Sequence, residues 1–137
     1  MGRIMAVDYG ERRIGIALSD PLKITAQPYD VIEVISEKKA ANRIAEIVKE
    51  KEVEEVIIGL PLSSTGGDTK IGEKVKVFAE LVKRRVNVPV KLVDERMTTR
   101  GAVRVLDEFG VKREKRKKII DKLAATYLLE GYLESLR

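Results

Sequence analysis

The fold is decided by the stretch Ile4-Met5-Ala6-Val7-Asp8-Tyr9-Gly10-Glu11-Arg12-Arg13-Ile14-Gly15-Ile16. It begins with an apolar run that ends at Asp8, and it continues through a turn at Gly10 and Glu11 into a segment of alternating apolar residues. Alternation with a period of two is typical of a strand with one buried face. We therefore predict two strands, over residues 3–9 and 13–19, that pair as a hairpin.

Strand and helix patterns alternate after this hairpin. Short apolar segments predict strands at residues 30–35, 56–58 and 88–93. Apolar residues spaced three and four apart predict a helix after the N-cap Ser36, a second over 71–82, a third from Thr98 to Gly110, and a last one that includes 120–128. The order β-β-β-α-β-α-β-α-α predicts a single α/β domain over residues 1–137, with a sheet of mixed direction and helices on both faces.

Composition and charge narrow the chemistry. The 137 residues carry a net charge of +5 and 44% of them are hydrophobic, which allows one core and favours a polyanionic partner. The sequence has no cysteine and no histidine, so a histidine triad, a thiolate nucleophile and a zinc site built from these residues are excluded. Any metal must be held by oxygen ligands, which points to Mg²⁺ or Mn²⁺.

The same sequence predicts a cytoplasmic protein that makes no contact with a membrane. No apolar run reaches the ~18 residues that a membrane-spanning helix needs. The amino-terminal segment from Met1 to Asp8 is too short, and becomes acidic too early, for a signal peptide.

Four carboxylates stand where ligands are expected in an α/β sheet. Asp8 ends the first strand, Asp94 and Glu95 end the strand at 88–93, and Asp121 lies near the start of the last helix. Because ligands bind beyond the carboxyl ends of such strands, these side chains are expected to share divalent cations that clamp a phosphodiester. Each residue alone also fits a structural role in a turn, at a solvated strand end or near a helix start. Strand alternation does not decide whether Asp94 or Glu95 faces the site.

Basic residues surround this predicted acidic site. Six of the seven residues from Lys112 to Lys118 are basic, and arginines recur every four residues at 96, 100 and 104. These cations favour contact with a phosphate backbone, although a charge run is also typical of a solvated surface. The residues predicted to hold the substrate are Arg12, Arg96, Arg100, Lys117 and Lys118.

Four blocks of the sequence resemble the YqgF/RuvX family. They are Ala6 to Gly15, Gly59 to Leu62, Val93 to Thr99 and Ile120 to Ala125, in this order and across essentially the whole chain. The resemblance implies an RNase H-like fold with a mixed five-stranded sheet, and a relationship to Holliday junction resolvases. Members of the family are described as pre-16S rRNA nucleases or as resolvases. The resemblance also implies that the catalytic, metal-binding carboxylates are Asp8, Glu95 and Asp121.

The residues and the resemblance together predict a nuclease that depends on Mg²⁺ or Mn²⁺ and processes the 5′ end of pre-16S ribosomal RNA. Two alternatives stay open: a Holliday junction resolvase that acts on four-way DNA, and a module that binds nucleic acid without cutting it. A third, a phosphate-binding ATPase half-domain, is suggested by the glycine pattern between Asp8 and Gly15. The expected partner is structured RNA or branched DNA, and the chain is expected to be a monomer or a weak homodimer.

Overall fold

The computed structural model describes the backbone of residues 2–95 and 113–137, and the side chains of residues 2–95 and 123–137. The predicted helix from Thr98 to Gly110, with Arg96 and Arg100, lies outside the described residues. Eight elements follow one another in the described part of the chain. They are β1 (Arg3–Asp8), β2 (Arg13–Ser19), β3 (Ala26–Glu33), α1 (Glu37–Glu50), β4 (Val53–Leu60), α2 (Lys70–Lys83), β5 (Val90–Asp94) and α3 (Arg113–Ser135).

The five strands form one mixed sheet in the order β3-β2-β1-β4-β5. Strands β1, β2 and β3 form an antiparallel meander, and β4 and β5 run parallel to β1. The α/β class, the hairpin and the mixed five-stranded sheet are as predicted from the sequence. In this order β1 and β5 flank β4, so their carboxyl ends lie at one edge of the sheet with a single strand between them.

Helices cover both faces of the sheet, and each face has its own apolar core. The α1/α2-side core contains alternate strand residues such as Met5, Val7 and Ile58, which pack against α1 and α2. The α3-side core contains the intervening strand residues, including Ile4 and Ala6, which pack against α3. This alternation is the consequence of the pleat, since successive side chains of a strand point to opposite faces.

The helix ends agree with the sequence signals where these are described. The side chain of Ser36 accepts a hydrogen bond from the N–H of Lys39 at 3.1 Å, which caps α1 as predicted. Thr69 caps α2 in the same way through the N–H of Gly72 at 3.0 Å. Within the described residues, no helix is long and apolar enough to span a membrane.

The largest differences from the predicted strand boundaries are in β3 and β4. The third strand begins at Ala26 rather than at residue 30 and includes Pro28. Proline is tolerated there because β3 is an edge strand and its pairing with β2 has a register shift beside Pro28. The fourth strand extends over Val53–Leu60 rather than 56–58. Its amino-terminal part belongs to the sheet because Val53 and Glu55 pair with β1, and the acidic Glu54 there forms an ion pair with Lys23.

Candidate active site

Asp8 is the last residue of β1, at the carboxyl edge of the sheet. Val7 and Met5 face the α1/α2-side core, whereas Ala6 and Ile4 face the α3-side core. By the same alternation the side chain of Asp8 lies on the α3 face. Its neighbour in the antiparallel pairing with β2 is Gly15, which offers no side chain to cover the carboxylate.

Glu95 follows β5 directly and reaches the same place. Its N–H donates to the carbonyl of Leu60 at 3.4 Å, which continues the pairing of β5 with β4 by one residue. Two residues earlier, Val93 packs against the α3-side core. Glu95 therefore points to the α3 face, and its carboxyl group is hydrogen-bonded to that of Asp8.

Asp94 lies on the other face of the sheet. Its neighbour in the register of β4 is Leu60, which packs against the α1/α2-side core, and residues paired in register point to the same side. The choice between Asp94 and Glu95, which the sequence left open, is resolved by this geometry: Glu95 contacts Asp8 and Asp94 points away.

The environment of Glu95 disfavours its charged form. Burial raises the pKa of Glu95, the negative charge of Asp94 raises it further, and the hydrogen bond with Asp8 acts in the opposite direction. Two carboxyl groups can form such a bond only when one of them carries a proton. A divalent cation can take the place of that proton. The donor set, two converging carboxylates on a desolvated edge, fits the oxygen ligands that Mg²⁺ and Mn²⁺ prefer.

The position of Asp121 is described only through the backbone of α3. Its side chain, like those of Lys117 and Lys118, lies outside the described residues. In the part of the chain with described side chains, no group of three or more acidic residues is arranged to hold a metal ion. The structure thus brings two of the three predicted carboxylates together and leaves the third as a prediction.

The hairpin turn beside Asp8 presents Arg12 to solvent. Arg12 is exposed, and its carbonyl accepts a hydrogen bond from the N–H of Val34 at 2.9 Å, which holds the turn in place. The neighbouring Glu11 accepts a hydrogen bond from Lys74 of α2 at 2.8 Å, and this contact lowers the pKa of Glu11. Glu11 is thus engaged with Lys74, whereas Arg12 is an exposed cation in the turn that follows Asp8.

Tyr9 anchors the segment that carries Asp8, a role that the sequence reasoning missed. Its side chain is 8% exposed, and its ring packs against Phe78 of α2 with the centroids 5.1 Å apart. Its hydroxyl donates to Glu37, in the first turn of α1, at 2.6 Å. The sequence signal for this role is the position of Tyr9 directly after Asp8. Because successive side chains alternate between faces, the aromatic ring lies on the face opposite to the carboxylate.

Comparisons with known proteins show the family to which the chain belongs. The profile of the RuvX family, described as Holliday junction resolvase, matches residues 2–135. A protein of Dictyoglomus turgidum named "Putative pre-16S rRNA nuclease" is 45% identical over 134 residues, covering 98% of this chain and 95% of its own. A protein of the same name from Desulforamulus reducens is 46% identical over 133 residues, covering 97% of each chain. The chain therefore belongs to the RuvX family.

Solved structures share the fold at low sequence identity. RuvC of T. thermophilus in complex with a Holliday junction substrate superimposes with a TM-score of 0.58 at 18% identity, covering 99% of this chain and 96% of RuvC. The Fowlpox virus resolvase in complex with Holliday junction DNA gives a TM-score of 0.60 at 16% identity, covering 98% of both chains. These likenesses establish the RNase H-like fold predicted from the resemblance.

Proposed function

We propose that this protein is a nuclease that uses Mg²⁺ or Mn²⁺ to hydrolyse phosphodiester bonds, with the 5′ end of pre-16S ribosomal RNA as its substrate. The observation that carries the proposal is the contact between the carboxyl groups of Asp8 and Glu95 at the carboxyl edge of the sheet. Family membership and the names of the relatives favour this chemistry. Two acidic side chains can be held together in this way only by a shared proton or by a cation that takes its place.

Asp8, Glu95 and Asp121 are the residues proposed to hold the cations. The direction of α3 favours the inclusion of Asp121. Lys91 near the start of β5 donates to Tyr132 at 3.3 Å, whereas Leu128 lies beside Gly59 near the end of β4. Earlier residues of α3 therefore lie nearer to the carboxyl edge of the sheet than later ones. Asp121 precedes Leu128 by seven residues, which is about 10 Å along the helix axis.

Each described residue has a distinct task in this proposal. Asp8, fixed at the strand end and held from behind by Tyr9, supplies a carboxylate in a defined orientation. Glu95 supplies a second, desolvated carboxylate, which releases its proton when a cation binds. The bound cations would supply activated water and stabilise the charge on the leaving oxygen.

Basic side chains are proposed to orient the phosphate backbone on this site. Arg12 is exposed in the turn that follows Asp8 and can form charge-assisted hydrogen bonds with a phosphate. The predicted partners on the other side of the site are Arg96, Arg100, Lys117 and Lys118. Contacts of this kind give strong salt dependence and little base specificity, which suits a substrate that is recognised by its shape.

A second candidate function is resolution of four-way DNA junctions. It is favoured by the family description and by the two junction-bound resolvases with the same fold. The same carboxylates would cut the strands, but two symmetric cuts would require two copies of the chain. This candidate therefore predicts a dimer on the junction, whereas the ribosomal RNA candidate is compatible with a monomer.

The test is a cleavage assay on two substrates in parallel: a 5′-extended pre-16S rRNA fragment and a four-way DNA junction. Each is incubated with protein plus Mg²⁺, Mn²⁺, Ca²⁺ or a chelator. We expect cleavage at the 5′ extension with Mg²⁺ or Mn²⁺, none with the chelator, and at least a thousand-fold loss in Asp8→Asn, as is usual when a catalytic carboxylate is removed. Preferential cutting of the junction would favour the second candidate.

Asp94→Asn is the matched control because it removes a charge one residue from Glu95 on the opposite face of the sheet. We expect it to retain far more activity than Glu95→Gln. Circular dichroism and a melting curve for each variant separate loss of the site from loss of the fold. Metal-independent cleavage, or equal rates for Asp8→Asn and the parent, would contradict the assignment of these carboxylates as a catalytic metal site. Binding of either substrate without cleavage under every metal condition would favour a module that only binds nucleic acid.

A further inference from the structure

Gly59 lies between the two carboxylates that meet at the sheet edge. In the register of β1 with β4, Val7 stands beside Ile58, so Asp8 stands beside Gly59 one step further. In the register of β4 with β5, Gly59 stands beside Val93, two residues before Glu95. Neighbouring strands are about 4.8 Å apart, so β1 and β5 are separated by about 10 Å at this level. The Glu95 side chain must therefore cross β4 to reach Asp8.

The path of Glu95 across β4 passes directly over Gly59. A Cβ atom on Gly59 would overlap Oε2 of Glu95 and would lie 3.1 Å from its Cδ. The same Cβ would lie 3.2 Å from Cδ2 of Leu128 on α3. Any side chain at position 59 would therefore occupy the space that the Glu95 carboxylate uses.

The backbone of Gly59 gives no other reason for a glycine. Gly59 is within β4, not in a turn, and among the described residues the only glycine with positive φ is Gly66. A glycine inside a strand lowers stability because it adds backbone entropy to the unfolded chain and buries no side chain. Its presence at this position is explained by the close approach of other groups, of which the carboxylate of Glu95 is the nearest and the side chain of Leu128 the next.

We propose that Gly59 is a positioning residue for the metal site: its missing side chain lets Glu95 lie across β4 and join Asp8. This inference rests on the proposed function, because it assigns to Gly59 the geometry of that same site. Gly15, the neighbour of Asp8 on β2, likewise places no side chain beside the carboxylate. Asp8 thus lies between two glycine positions of the neighbouring strands, and Glu95 extends over one of them.

The test is a thermodynamic cycle on Mn²⁺ affinity, measured by isothermal titration calorimetry without substrate. Gly59→Ala is expected to weaken Mn²⁺ binding at least ten-fold because it displaces the Glu95 carboxylate. Glu95→Asp also weakens binding, since the shorter side chain does not extend over position 59. Adding Gly59→Ala to Glu95→Asp is expected to change the affinity less than three-fold. Non-additivity of this kind is the mark of two residues that act through one contact.

Two other glycines serve as controls. A Cβ on Gly131, in α3, would meet no atom within 4 Å, so Gly131→Ala should leave Mn²⁺ affinity unchanged. A Cβ on Gly72 would lie 2.9 Å from the carbonyl oxygen of Pro61, so Gly72→Ala should lower the melting temperature. It should do so without changing Mn²⁺ affinity, because Gly72 does not contact a carboxylate of the site. This pair separates an effect on the site from a general effect on stability.

The variant Leu128→Ala keeps the test valid if Gly59→Ala alone does not fold. It removes the Leu128 atom nearest to position 59, so a new Cβ there would conflict with Glu95 alone. Gly59→Ala in this background is again expected to weaken Mn²⁺ binding at least ten-fold.

Three results would overturn the inference. The first is a folded Gly59→Ala variant, in either background, that binds Mn²⁺ within two-fold of its parent. The second is a double variant whose loss of Mn²⁺ affinity equals the product of the losses caused by Gly59→Ala and Glu95→Asp alone. Mn²⁺ binding that is absent in the wild type, or unchanged in Asp8→Asn, would overturn the metal site itself. Binding lost in Asp8→Asn but retained in Gly59→Ala would overturn only the role of Gly59.

Discussion

The two faces of the sheet are built from different side chains. On the α1/α2 side, the strands present large residues such as Ile14, Ile16 and Ile58, which pack against Phe78 and other apolar residues of α1 and α2. On the α3 side, the same central strands present Ile4 and Ile57, but their other positions toward the carboxyl edge are small: Ala6, Gly15, Ala17 and Gly59. The first face offers contact area, and the second offers room for a helix and for two carboxylates.

Within the single strand β1, the residues that stabilise the fold and the residue proposed to bind metal lie on different faces of the sheet. In β1, Met5 and Val7 are buried in the α1/α2-side core, and Asp8 emerges on the α3 side directly after them. Large, well-packed side chains fix the strand position, because a close-packed core resists displacement. The site on the other face can then hold groups that repel each other, such as the carboxylates of Asp8 and Glu95. The comparison predicts that stability and metal binding respond to different substitutions.

The largest expected effect on stability comes from Phe78→Ala. Phe78 is fully buried in the α1/α2-side core and packs against the ring of Tyr9. Its truncation should lower the free energy of unfolding by about 3–5 kcal/mol, through lost contacts and the cavity left behind. Urea unfolding monitored by circular dichroism measures this loss. Mn²⁺ affinity of the folded fraction should stay within two-fold, and a ten-fold drop would mean that the two faces are not separable.

A smaller effect, with the opposite sign, is expected for Glu95→Gln. At neutral pH the wild-type protein without metal must bury a carboxylate beside Asp8 and near Asp94. Replacing it by a neutral amide of the same shape should raise the free energy of unfolding by between about 1 and 2 kcal/mol. Thermal unfolding in a chelator measures the gain. With Mn²⁺ added, the wild type should be stabilised and the variant should not, because only the wild type binds the ion.

The pH dependence of this difference follows from the direction of the Glu95 pKa shift. The pKa of Glu95 is raised in the folded state, chiefly by burial, from an ordinary value of 4.5. The contribution of its protonated form to stability is fully present below pH 4.5 and is lost as the pH rises through the folded-state pKa. The stability difference between Glu95→Gln and the wild type should therefore be small near pH 4 and grow toward neutral pH. A difference that is constant with pH would contradict the burial of this carboxylate.

The sequence predicted the parts of the site that depend on strand periodicity alone. Alternation in the hairpin and the order of elements placed Asp8 and Glu95 at one edge, because the carboxyl ends of parallel strands meet there. Helix α2 was predicted from the spacing of Val75, Phe78 and Val82, which are all buried. These features need only local patterns and the rules of sheet topology.

The sequence did not predict the features that depend on contacts between distant residues. Gly59 directly follows the predicted strand at 56–58, and nothing local reveals that Glu95 lies over it. The choice between Asp94 and Glu95 required the register of β5 against β4. The acidic start of β4 was excluded from the strand because its basic partners, such as Lys91 for Glu55, come from elsewhere in the chain. Each miss concerns a partner that is far away in sequence.

The smallest predicted effect on stability concerns Tyr9, which packs in the α1/α2-side core and directly follows Asp8. The substitution Tyr9→Phe keeps the ring against Phe78 but removes the hydrogen bond from its hydroxyl to Glu37. We expect the free energy of unfolding to fall by about 0.5–1 kcal/mol at neutral pH, the usual net value of such a bond. Because Asp8 keeps its strand position, Mn²⁺ affinity should change little.

The alkaline limb of the stability curve provides the sharper readout for Tyr9. Burial, followed by the hydrogen bond to Glu37, raises the pKa of Tyr9 above its ordinary value of 10. The unfolded chain therefore releases this proton first, and stability falls as the pH rises above about 10. The advantage of the wild type over Tyr9→Phe should shrink in that range, as measured by urea unfolding between pH 8 and about 10.5. An advantage that persists unchanged would mean that the hydroxyl is not held at Glu37, and that the segment carrying Asp8 is fixed by apolar packing alone.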